Sequence, residues 1–185
     1  MHLAGLSNMP VQGVNCSRTL EPLLQQPTLV IFLRHFGCIF CRELVADVRR
    51  AAETTPNYPP VLFVYQGTPA EGKAFFADLW PDAVAIADAE QHLYHLFGLE
   101  RGNAAQMFGA RVWACGVRAA LKGHFVGKPV GDPWMMPGVF VVHGEQVLWQ
   151  HDFVHAGDHP NILKLADVVR DLRAVSGVSS AGVNP

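Results

Sequence analysis

The chain has 185 residues, half of them hydrophobic and 16% charged, with a net charge of −2. That length suits one globular domain with a buried core, and such a composition excludes disorder as the main state. Fourteen basic residues against sixteen acidic ones leave no cationic excess for a phosphate backbone, which excludes nucleic-acid partners, and four cysteines are too few for a disulfide scaffold.

Residues 1–10 lack the basic start and apolar run of a signal peptide. The longest strongly apolar run, residues 29–33, falls far short of the roughly 20 residues that span a bilayer. The expected location is cytoplasmic, with no membrane partner. Residues 1–27 hold Gly, Pro and Asn with weak periodicity and read as a lead-in. Residues 28–33 (TLVIFL) form a β-prone run without alternation, as expected of a strand buried on both faces. From Cys41 the apolar positions Leu44, Val45, Val48 and Ala52 recur at helical spacing and stop before Pro56. Residues 61–65 (VLFVY) are a second buried strand. Thr68, Pro69 and Glu71 then supply an N-cap, a first-turn proline and a reciprocal carboxylate for a helix to about Trp80.

Residues 84–87 read as a third short strand, and 90–97 as a helix closed by Gly98. Residues 103–121 are expected to be mostly helical, weakened by Gly109 and Gly116. Residues 123–138, rich in Gly and Pro, form the longest irregular stretch. A hairpin follows, with strands at 139–142 and 146–150 around a turn at His143-Gly144-Glu145, and a last helix covers 161–175, with Asp158 expected to cap it. Strands alternating with helices imply right-handed crossovers. The expected class is α/β: a mainly parallel central sheet, a C-terminal antiparallel hairpin and flanking helices. One domain spans 1–185, with 1–20 as extended lead-in and 177–185 as a disordered tail.

Two of the four cysteines, Cys38 and Cys41, stand three apart in the segment RHFGCIFCR, residues 34–42, where the first strand gives way to the first helix. A cysteine in a first helical turn meets free backbone N–H groups and the positive end of the helix dipole, which favour thiolate over thiol. Arg34, His35 and Arg42 add local positive charge, and no acid occurs between Glu21 and Glu43. These conditions lower a cysteine pKa and make its sulfur nucleophilic. The spacing lets one sulfur reach the other, with Cys38 as the exposed attacker beside Gly37 and Cys41 as the resolving partner. Two other readings compete with this one. A C-x-x-C is half of a zinc site, yet Cys16 and Cys115 have no Cys or His three or four residues away, so no metal and no cofactor are expected. Packed, unreactive thiols suit Cys41 on its apolar helix face and suit Cys38 poorly.

Pro137 stands immediately before the hairpin, where it either starts a strand in the trans form or turns cis towards the cysteine pair. Trp134 and Phe36 are candidates to line an apolar substrate groove; for Trp134, Met135 and Met136 the other reading is core closure. His92 and His95, and the run His151, His155 and His159, read as surface or capping residues. Cys115 and Trp113 read as packing, Cys16 as a bystander, and Arg111 and Arg118 as solvated surface.

The strand leading into C-x-x-C at a helix start, the β-α-β order, the proline before a hairpin and the terminal helix together resemble a thioredoxin fold. More narrowly, FLRHFGCIFCREL, LYHLFGLERG (93–102), GDPWMMPGVFVV (131–142) and HAGDHP resemble the peroxiredoxin-like proteins of the alkyl hydroperoxide reductase / thiol-specific antioxidant group, in the C-x-x-C branch related to selenoprotein L-type proteins. The match runs in order over about residues 20–175, and R-x-x-G-C-x-x-C-R is its most specific part. The resemblance implies a thiol-dependent oxidoreductase that reduces peroxides or disulfides. Cys38 and Cys41 take the place of its redox pair, Arg34 and Arg42 that of the flanking arginines, and Pro137 that of the thioredoxin-type proline. It further implies an external thiol reductant, thioredoxin- or glutathione-like, and makes a homodimer plausible. Ile39-Phe40 stands where thioredoxin has Gly-Pro, and the Thr that usually stands three residues before a peroxidatic cysteine is absent. Which sulfur meets the oxidant is therefore open. The alternative is a non-catalytic redox-sensing or partner-binding module of the same fold.

Overall fold

The computed structural model describes residues 1–123, 127 and 129–175; the expected tail at 177–185 lies outside them, as do the side chains of Arg111 and Trp113. Runs of consecutive apolar residues make the middle of the sheet. Strands β2 (Thr28–Phe32), β3 (Val61–Tyr65) and β4 (Val84–Ala87) lie where the apolar runs put them, and β2 pairs in parallel with β3, as does β3 with β4. The hairpin strands β5 (Gly138–His143) and β6 (Gln146–His151) continue the sheet beyond β2 in antiparallel fashion.

Every residue of β2 is buried, because the two faces of the sheet carry separate cores. Leu29 and Ile31 face a cluster with Leu44, Val45 and Val48 of helix α1 (Ile39–Thr54) and with Phe75 and Phe76 of helix α2 (Pro69–Leu79). Val30 and Phe32 face the other way, onto Leu93, Tyr94 and Phe97 in and beside helix α3 (His92–Leu96). The capping box expected for α2 is present, with Thr68 accepting from the Glu71 backbone and Glu71 closing back on Thr68.

The lead-in differs from expectation. Residues Gly13–Val14 form an edge strand, β1, antiparallel to β4, giving the sheet order β1-β4-β3-β2-β5-β6. Leu3, Leu6, Leu20 and Leu24 are buried and complete the second core. The Gly144 N–H donates to the Leu24 carbonyl and the Leu3 N–H to the Glu145 carbonyl, tying this segment to the hairpin turn. Non-local contacts organise these leucines, so no period marks them.

The helical stretch after residue 103 also differs, being two helices, α4 (Ala104–Phe108) and α5 (Ala110–Leu121). They part at Gly109, where a side-chain Cβ would lie 2.5 Å from the Ala105 carbonyl oxygen. The last helix, α6 (Leu165–Val175), follows a 3-10 turn at Ile162–Lys164 that Asn161 caps by accepting from the Lys164 N–H. Asp158 is not that cap; it accepts from the Val154 N–H. No helix among the described residues is long and apolar enough to cross a membrane.

If the lead-in is core, truncating one of its leucines should behave as a core mutation. We expect Leu6→Ala to lower stability by about 2–5 kcal/mol in equilibrium urea denaturation. A loss under about 1 kcal/mol would contradict the assignment.

Candidate redox centre

The chain leaves β2 at Leu33, turns through residues 34–38 with the Cys38 N–H donating to the His35 carbonyl (3.0 Å), and enters α1. Cys38 is the N-cap in extended conformation, and Cys41 lies in the first turn, where no acid occurs. Both sulfurs therefore gather at the positive end of α1. All four cysteines are unbridged.

Arg34 organises this corner from both of its ends. Its backbone N–H donates to Cys41 Sγ (3.3 Å), and its guanidinium reaches Cys38 Sγ at 3.7 Å. The same guanidinium donates to the Met135 carbonyl (3.2 Å) and to the Pro133 carbonyl. It thus draws residues 133–135 against the cysteine pair, while the Gly127 N–H donates to the Gly37 carbonyl. Here the structure corrects an expectation: Cys38 is not exposed. It keeps 4% of its surface and Cys41 3%, in a corner where Arg34 holds residues 133–135.

Equal burial gives opposite ionisation. The Cys38 thiol is pushed down to about 6, first by a hydrogen bond with the Cys41 side chain, then, against the cost of burial, by Arg34 and the backbone N–H groups of Cys41 and Phe40. No side-chain cap hydrogen bond closes at this N-cap, so those N–H groups act as nearby dipoles. Burial, and the Cys38 sulfur itself, hold the Cys41 thiol well above its ordinary range. At neutral pH the pair is a thiolate receiving a proton donor, Cys38 being the anion.

Two buried groups that sequence reasoning missed brace the corner. Gln66, just past β3, donates to the Arg34 carbonyl (2.5 Å) and accepts from the Asp132 N–H (2.8 Å) and from Gln91 Nε2 (2.6 Å). Tyr94 donates to the Leu33 carbonyl and reaches the Val64 carbonyl at 3.1 Å. The available signal was position: a polar residue at the carboxyl end of a buried strand, where open α/β sheets build their sites. Arg118 is exposed, as its solvated-surface reading requires, but it also has a buried partner. With Lys122 it holds the buried Glu43 carboxylate at 3.0 and 2.9 Å, locking α5 onto α1. Burial works to raise the Glu43 pKa, and those donors, Arg118 before Lys122, overcome it and hold it low.

The other candidates fall into place around the pair. His35 is pushed down to about 4 by burial and by Arg34, against Asp132, so it is neutral at pH 7; its Nδ1 has no hydrogen-bond partner among the described residues. The Arg42 guanidinium stacks 5.3 Å from the Phe75 ring centre. Phe36 is not part of an open groove: it is buried, stacked on Phe75 with centroids 4.2 Å apart. Trp134 is half-buried against the same core. No peptide bond among the described residues is cis, so Pro137 starts β5 in the trans form. Phe32 pairs with Gly138, which sets Pro137 across from the end of β2. Among the described residues no three His, Cys, Asp or Glu side chains gather as metal ligands.

Residues 45–154, more than half of the chain, match the family model described as AhpC/TSA antioxidant enzyme; the match begins just beyond the cysteine pair and includes Gln66, Tyr94 and Pro137. No curated protein matches the chain significantly. Among solved structures, the bacterioferritin comigratory protein of Xanthomonas campestris aligns with TM-score 0.57 and 15% identity over 95% of this chain and 97% of that one. A PrxQ mutant of Xylella fastidiosa aligns with TM-score 0.55 and 14% identity over 94% and 92%. A thioredoxin-like protein in its oxidised form aligns with TM-score 0.51 and 16% identity over 88% of each. At these identities the likeness is one of fold, and that fold is thioredoxin-like.

The asymmetry of the pair has a direct readout. The ultraviolet thiolate absorbance that Cys38→Ser removes should titrate with a midpoint near pH 6, as the depressed Cys38 pKa requires. Arg34→Met should move that midpoint upward, because it removes a cation beside the sulfur. A midpoint above about 8, the range of an ordinary thiol, would contradict the assignment.

Proposed function

The chain belongs to the AhpC/TSA antioxidant enzyme family, and from that premise we propose that Cys38 and Cys41 are the redox pair of a thiol-dependent peroxidase or disulfide reductase. The observation that carries this reading is the Cys38 sulfur, depressed to about 6 and held between the Cys41 thiol and the Arg34 guanidinium. A thiolate at neutral pH is the nucleophile such chemistry needs.

With a hydroperoxide, the Cys38 thiolate attacks the terminal oxygen and the O–O bond breaks. The alkoxide leaves and takes a proton from solvent, and Cys38 becomes a sulfenic acid. Arg34, 3.7 Å from that sulfur, polarises the oxygen that departs. Cys41 then attacks the Cys38 sulfur; its proton and the hydroxyl leave as water, and the Cys38–Cys41 disulfide forms. With a disulfide substrate the same thiolate gives a mixed disulfide, which Cys41 resolves by expelling the second substrate thiol. An external dithiol of the thioredoxin class, or glutathione, supplies two electrons and two protons to restore the pair. A reducing, cytoplasm-like compartment suits a dithiol that must be re-formed at each turnover.

Alkyl peroxide reduction is the activity named for the Xanthomonas protein of the same fold, and it makes an alkyl hydroperoxide the first substrate to try. Stoichiometric hydroperoxide followed by thiol alkylation and intact-mass measurement should show the loss of two hydrogen atoms from wild type. Cys41→Ser should stop at the sulfenic acid. Cys38→Ser should lose turnover by on the order of a thousandfold or more, as nucleophile removal does. If both variants turn over peroxide and disulfide substrates like wild type, the pair is not the site. A partner-binding module is then the better reading.

A further inference from the structure

Tyr94 is fully buried on α3, behind β2, with its ring edge-on to Phe32 at 5.0 Å. Its O–H donates to the Leu33 carbonyl and is shared with the Val64 carbonyl at 3.1 Å. The peptide unit carrying that Leu33 carbonyl also carries the Arg34 N–H, which donates to Cys41 Sγ at 3.3 Å. An unbroken chain, O–H···O=C–N–H···S, thus joins a buried phenol to a buried sulfur through one peptide group. A peptide whose carbonyl accepts a hydrogen bond becomes a stronger N–H donor, the more so at low local dielectric.

We propose that Tyr94 is a positioning residue which, through the Leu33–Arg34 peptide, stabilises the Cys41 thiolate released when the Cys38–Cys41 disulfide is reduced. This rests on the reading of the pair given above. In that step a thiolate of an external dithiol attacks Cys38 Sγ. A mixed disulfide forms, the Cys38–Cys41 bond breaks, and its electron pair departs on Cys41. The second reductant thiol then displaces Cys38, leaving the reductant oxidised to a disulfide and its two protons with the protein.

Cys41 is the poorer of the two sulfurs at bearing charge, since burial penalises its anion. The groups facing it are Cys38, the Arg34 guanidinium and backbone N–H, and Tyr94. Behind Tyr94, Asp88 accepts the Tyr94 backbone N–H (3.3 Å), and Gln66 also interacts with the Tyr94 side chain. Burial raises the Tyr94 phenol well above its ordinary range, ahead of the charges on Cys41 and Asp88, so it stays a proton donor throughout neutral pH.

The test separates the two half-reactions in the full-length protein. The preformed disulfide is reduced with dithiothreitol, and the dithiol is separately oxidised with hydroperoxide dilute enough that attack by the Cys38 thiolate, which needs no Cys41 anion, limits the rate. Both are followed by rapid quench and alkylation. Tyr94→Phe should slow reduction about twofold relative to oxidation, the fraction of a hydrogen bond that one bond passes to the next along a chain. Site-specific replacement of Tyr94 by a ring-fluorinated tyrosine, a stronger donor of nearly the same shape, should speed reduction, and it decides the question alone if the phenylalanine variant fails to fold. Equal slowing of both steps, or no change in either variant, overturns the role of Tyr94. A wild type that forms no Cys38–Cys41 disulfide on oxidation overturns the reading of the pair, and this proposal with it.

Discussion

One buried arginine side chain, set just past the end of β2, is what the rest of this corner depends on. Arg34 keeps 8% of its surface, and a guanidinium taken out of water is costly unless its donors are satisfied and its charge is met. The Pro133 and Met135 carbonyls meet part of that need, and a thiolate at Cys38 supplies negative charge against it. The Arg34 backbone is equally committed, its N–H to Cys41 and its carbonyl to Gln66. One residue therefore joins the ends of two parallel strands, the start of α1 and the segment entering β5. Burial of the cysteines and ionisation of one of them share a cause, because the contacts that exclude water also bring the cation.

Much of this architecture was legible where the responsible physics is local. Strands 61–65 and 84–87, and the Thr68-Pro69-Ala70-Glu71 start of α2, follow from β-prone runs and from capping chemistry that acts within four residues. The cationic helix-start cysteine pair was legible for the same reason. Leu3, Leu6, Leu20 and Leu24 were not, because what organises them is the far face of a sheet made by residues much later in the chain. Gln66 and Tyr94 look in sequence like the end of an apolar run and one more helix aromatic. Only the sheet order, which sets β3 beside β2 and lays α3 against the second face, brings both to the Leu33–Arg34 peptide. Arg118 is surface, as read, but its partner Glu43 is 75 residues away and carried no local signal. The buried state of Cys38 had no local signal either, since the contacts that organise its corner join Arg34 to residues 99 and 101 positions later.

The same arrangement explains how two sulfurs on one helical turn ionise differently while equally buried. A site that excludes water tolerates one negative charge far better than two, so ionising one thiol strengthens the other's hold on its proton. The division is decided by which sulfur meets the stronger donors. Cys38 has the guanidinium, two backbone N–H groups and the Cys41 thiol, whereas the charge and backbone N–H of Arg34 do not offset the burial of Cys41. The neutral thiol is thereby the proton donor that keeps its neighbour ionised. Disulfide formation removes this charge and leaves the guanidinium facing neutral sulfur, so electrostatics favours the reduced pair and penalises the bridged one. On the redox reading proposed for the pair that bias is useful: the poised state would be the thiolate, and the energy for leaving it would come from the oxidant.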